Sequence, residues 1–221
     1  MAEAVRHGPP PEQPEPRWPT AVAVLAIGGL FLALPPSLSI GPGWLLLALI
    51  ILLIVPLTIT HQQGYHAINM VLGHLLNAII TLFLLASVWL LVRMLLAHKE
   101  SPIALLQSAA ALWLSNVLVF ASWYWRLDAG GPHQRAKRAG HTAGAFLFPQ
   151  MTLGQPVRDT DGRPWSPRFV DYLFLAFTTS TAFSPTDTPV LSRWAKALTM
   201  VQAIISLAIT IILVARAINI A

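Results

Sequence analysis

From Trp18 to Val92 the chain runs for 75 residues without one Asp, Glu, Lys or Arg, and nothing else constrains its fold as strongly. A water-soluble domain is about one quarter charged and spreads those charges over its surface. A stretch this long and this apolar has no water-facing side to offer. Two shorter gaps in charge follow, Ser101 to Trp125 and Ala197 to Ala215. Crossing about 30 Å of hydrocarbon takes roughly 20 apolar residues as a helix, so the first gap has room for three passes and the others for one each. The strands of a membrane β-barrel alternate apolar and polar residues over about ten positions, and runs such as Trp44 to Val55 show no alternation. The expected fold is all-α: a polytopic transmembrane helical bundle of about six spans, with the lipid bilayer as its solvent.

The punctuation divides the chain into four parts. Residues 1–18 are rich in proline and poor in apolar side chains, too little to offset the entropy of ordering, and read as a disordered tail. Residues 19–125 read as a four-helix transmembrane region, with spans near Thr20–Leu34, Trp44–Thr60, Leu72–Val92 and Ile103–Trp125. The breaks are Pro35-Pro36, Gly41-Pro42-Gly43 and Ser101-Pro102, the last a cap followed by proline at the first helical position. Trp123, Tyr124 and Trp125 suit headgroup depth. Residues 126–168 form a polar loop rich in Gly, Pro, Arg and Asp, with Phe146 to Met151 expected at the membrane surface. Residues 169–221 hold a short helix, Phe169–Phe183, and a final span, Trp194–Ala215. Fifteen residues reach only about 22 Å as a helix, so the short one either crosses or is re-entrant. Gly28-Gly29 is expected to permit close helix contact.

Orientation follows from the basic residues, which short loops retain on the cytoplasmic side. With six passes and the tail inside, ten of the 14 Lys and Arg lie inside and four (Arg93, Lys99, Arg193, Lys196) outside. Both termini and the polar loop are then expected to be cytoplasmic.

The formal charge of +5 is concentrated in that loop, which suits a membrane surface, and no nucleic-acid partner is expected. With no cysteine there is no disulfide framework and no thiolate ligand or nucleophile. H-E-x-x-H, G-x-S-x-G and G-x-x-x-x-G-K are all missing, so neither enzymatic activity nor a cofactor is expected. His61, His66 and His74 fall in a charge-free stretch between the second and third spans. Their spacings of five and eight do not share a helical face as a spacing of four would, which favours interfacial histidines over a metal site.

The segment Asp171 to Asp187, DYLFLAFTTSTAFSPTD, resembles the pore helix and filter entrance of tetrameric cation channels, where a short aromatic helix leads into a Thr-rich turn. The resemblance implies a polar pathway built from Asp171, Thr178, Thr179, Ser180, Thr181, Ser184, Thr186 and Asp187. The Gly-Tyr-Gly filter core is replaced by Ala182-Phe183-Ser184-Pro185-Thr186, and proline there fixes φ and removes a donor, so potassium selectivity is not implied. The alternative for the same hydroxyls is bonding back to carbonyls one turn earlier, or to neighbouring helices. Asp171 also suits the positive end of its own helix.

Asn116 to Trp125, Asp128-Ala-Gly-Gly-Pro132, Phe146 to Met151 and Asp171 to Asn219 together look like a family of bacterial integral membrane proteins without an established activity. That resemblance implies a multi-pass inner-membrane location. Two readings of function are thus expected: a non-catalytic membrane component, or a channel-like permeation unit working as a homo-oligomer.

Overall fold

A computed structural model describes residues 15–97, 101–138, 141, 143–153, 155, 157–159, 162, 164–181 and 187–218. The expected tail lies outside the described residues up to position 14, whereas Glu15, Arg17 and Trp18 at its end belong to the folded structure. The helices are α1 (Trp18–Leu32), α2 (Leu45–Gln62), α3 (His66–Ala97), α4 (Pro102–Leu127), the short α5 (Pro132–Ala136), α6 (Phe169–Thr181) and α7 (Arg193–Ile218). Among the described residues there is no strand, only two isolated bridges. Four helices, α2, α3, α4 and α7, are long and apolar enough to cross a membrane. The protein is an all-helical, membrane-embedded bundle.

Local chemistry sets the helix ends. The Ser101 hydroxyl accepts from the Ala104 amide at 3.2 Å and Pro102 opens α4, while Ser192 accepts from Ala195 and caps α7. α4 is the hub and packs against α1, α3, α6 and α7. Its buried face carries Ser108, Ala109, Ser115, Asn116, Ala121 and Ser122, small side chains that let backbones approach where lipid supplies no hydrophobic drive between helices. Gly28 does the same for the α1–α2 hairpin: a Cβ there would lie 3.3 Å from Leu47 Cα. Gly29 has nothing within 4 Å of that position, so of the glycine pair only the first is a contact glycine.

Hydrogen bonds between helices fix their directions. Arg17 donates to Asn69 and Trp125 to Glu15, so the start of α1, the α2–α3 turn and the end of α4 meet at one end of the bundle, the loop end. Tyr124 bonds Gln202, and Trp113, further down α4, bonds Ser206, so α7 runs away from the loop end, antiparallel to α4. In the first turn of α6 Tyr172 bonds Asp128, and in its last turn the Ser180 carbonyl accepts from Ser206. α6 and α7 are therefore parallel. Leu147 donates to the Pro189 carbonyl and Leu191 to that of Ala145, at 2.9 and 2.8 Å, so by Pro189 the chain is back at the loop end. α6, 13 residues and about 20 Å long, points from the loop end into the bundle. The start of α1 and the end of α7 lie at opposite ends of the bundle.

Candidate functional site

The loop end of α6 is held by a buried polar knot around Asp128. The turn Asp128-Ala-Gly-Gly reverses the chain through three positive φ values, 51° at Ala129, 82° at Gly130 and 88° at Gly131, conformations that glycine adopts freely. The reversal turns the Asp128 carboxylate inward, where it is fully buried. One oxygen accepts from the Ala145 amide and the other from the Tyr172 hydroxyl, both at 2.6 Å. His141 Nε2 stands 3.4 Å from the second oxygen. Gly144 makes room for this approach, since a Cβ there would sit 2.6 Å from His141 Nε2 and 2.8 Å from Asp128 Oδ1.

Arg135 closes the other side. It donates to the carbonyls of Trp125 and Asp128 at 2.7 and 2.9 Å and to the Glu15 carboxylate at 3.0 Å. Glu15 also accepts from the Trp125 indole at 2.6 Å. Buried carboxylates and guanidinium groups are tolerated only when bonded in this way. Burial holds the His141 imidazole below its ordinary range; Asp128 opposes that shift, while Arg135 and Arg138 add to it. Phe146 and Phe148, expected at the membrane surface, instead pack at this end, with Phe146 5.1 Å from Tyr124 and Phe148 5.5 Å from Tyr172. Their rings are buried against neighbouring aromatic side chains.

Deeper in the bundle Gln202 ties three helices together. Its amide nitrogen donates to the Ala176 carbonyl at 2.7 Å and the Ser180 hydroxyl at 2.9 Å, and its oxygen accepts from Tyr124. Asn116 donates to the Gln202 carbonyl. A second cross-link joins α3 to α4: Ser122 donates to the Asn77 side chain and Trp123 to the Thr81 hydroxyl, both at 2.9 Å.

The sequence-derived site residues divide as follows. Thr178 and Thr179 donate back to carbonyls of α6, Thr178 to both Phe174 and Leu175, and Thr181 to Phe177. Thr181 is exposed on the outer side, in a stripe with Val170, Phe174 and Phe177. Ser180 faces inward to Gln202. Asp171 accepts from the Arg168 amide at 2.7 Å, satisfying an N–H at the start of α6. Asp187 is exposed, on the segment rising to the loop end. Ser184 and Thr186 lie outside the described residues.

The three histidines do not share a loop. His61 is in α2, His66 opens α3 and stacks on His133 at 3.4 Å, and His74 lies inside α3, 6.0 Å from the Trp123 ring. Sequence reasoning missed Asp128, Arg135, His141, Tyr172 and Gln202. The available signal was one amide, Gln202, inside a charge-free span. No protein-family model, no curated protein and no solved structure matches this chain.

Proposed function

We propose that this chain is a non-catalytic, multi-pass component of a bacterial inner membrane, and that it is the permeation unit of a homo-oligomer passing an ion or small solute beside its re-entrant segment. The observation that carries the reading is the parallel course of α6 and α7, with the chain back at the loop end by Pro189. Carbonyls at a helix end held at membrane depth must be met by protein or by water. The negative end of the α6 dipole points into the middle of the bundle, which favours a cation there. The exposed stripe of Val170, Phe174, Phe177 and Thr181 offers a face for a second copy, so that Thr181 would border a shared axis.

Among the described residues the helix directions leave nine Lys and Arg at the loop end and two, Arg93 and Arg216, at the other. By the positive-inside tendency the loop end is cytoplasmic, and the hairpin enters from that side. The competing reading, a closed component that conducts nothing, draws support from the satisfied Gln202 network and the back-bonded threonines.

Flux from liposomes carrying the purified chain separates the two. Cation flux above that of empty vesicles, changed by Thr181→Val and Asp187→Asn, is expected. If wild-type vesicles leak no faster than empty ones for any cation or anion tried, the permeation reading fails and the closed component stands.

A further inference from the structure

Away from the hairpin, at the loop end, a cavity of about 220 Å³ opens between Arg17, the first turn of α3 and the end of α4. Two arginines line it. Arg17 is steadied by its bond to Asn69 at 2.6 Å, and Asn69 is itself locked to the Leu57 carbonyl and the Thr60 hydroxyl. Arg126 lies against α3 at Gly73, where a Cβ would fall 1.7 Å from its Nη1. Its Nε is buried without a hydrogen-bond partner, and its guanidinium stands 5.5 Å from the Trp125 ring centre. Among the described residues no salt bridge includes either arginine. The carboxylate closest in effect, Glu15, is committed to Arg135 and Trp125.

Two further observations give the cavity a sign and a depth. α3, 32 residues long, points its N-terminal end here, so its dipole adds positive potential. Trp18 and Tyr65, 69% and 56% exposed, directly follow and precede the lining residues Arg17 and His66 in the chain, and exposed aromatic side chains of this kind suit the headgroup layer. Among the described residues, charge of one sign has thus been gathered and ordered with no carboxylate in a salt bridge to it. Paired guanidinium groups suit phosphate oxygens better than any other common anion at this depth.

We propose that this cavity binds a phosphate group, with Arg17 and Arg126 as its two cationic contacts. The group could arrive on the headgroup of an anionic phospholipid or as free phosphate, and basic pockets between membrane helices suit the former. The site is independent of any permeation pathway.

Thermal unfolding of the whole chain in phosphate-free detergent tests it, titrated separately with phosphatidylglycerol, phosphatidylcholine and inorganic phosphate, with sodium chloride matching ionic strength. A saturable rise in melting temperature with phosphatidylglycerol and not phosphatidylcholine is expected and assigns the group to a lipid. The same rise with inorganic phosphate alone assigns it to the free ion. Arg17→Gln and Arg126→Gln should each shift the half-saturating concentration by about tenfold, the loss of one charge-assisted contact. Should either fail to fold, Gly73→Ala keeps both charges but displaces the Arg126 guanidinium and should weaken the response in the same direction. A wild-type protein that responds to neither phosphate source beyond the salt control, or variants that respond like wild type, would overturn the proposal.

Discussion

Asp128 ties the loop to α6, because two hydrogen bonds and a neighbouring imidazole converge on one buried carboxylate. Asp128→Asn removes the charge and one of the two well-placed acceptors. A loss of about 2 kcal/mol is expected, read as a lower melting temperature in detergent and faster proteolysis within residues 132–165. His141 sets the pH dependence. Its folded pKa lies below the unfolded value of about 6.5, so on acidification the unfolded chain takes up the proton first. Stability should be flat above that value and fall as pH drops below it, until the folded pKa is reached. His141→Gln should flatten this limb of a melting-temperature profile; a slope as steep as wild type would assign the dependence to another group. None of this was legible at the residue scale. The Asp-Ala-Gly-Gly-Pro run reads as a turn, but Tyr172 lies 44 positions away, and one sequence carries no sign of such a pairing.

Helix existence was far more legible, since hydropathy fixes where roughly 20 apolar residues must be helical. The span expected at Ile103–Trp125 is found at Pro102–Leu127, and that at Trp194–Ala215 at Arg193–Ile218. Direction was not legible, because an apolar helix of 13 residues is compatible with a tilted crossing or a dead end, and hydropathy has no sense of up and down. The contacts that decide direction come from amides and hydroxyls, which a search for charged residues passes over. Gln202→Leu should therefore loosen α6 from α4 and α7 together, at about 0.6 to 1.7 kcal/mol for each lost interhelical bond, measured as a melting-temperature loss. Glycine gives a second check. Gly28→Leu should destabilise by forcing α1 from Leu47, and Gly29→Leu, with open space before it, should leave the unfolding free energy within about 0.5 kcal/mol of wild type.

At the scale of the whole molecule, the absence of native cysteine makes sidedness directly measurable. Single substitutions Leu153→Cys and Leu191→Cys should react with a membrane-impermeant thiol reagent from the same side, and Ser101→Cys from the other. A crossing α6 would instead pair position 191 with 101. A dead-end helix also sets a schedule for biogenesis. Insertion machinery can release a full span sideways into lipid as soon as it is made, but α6, entering and leaving on one face, has no such stable resting place alone. It must wait at the surface until Gln202 and Ser206 arrive on the next helix to receive it. Released chains truncated before residue 202 should accordingly leave single cysteines placed at Ala176 or Ser180 open to surface labelling, and the whole chain should hide them.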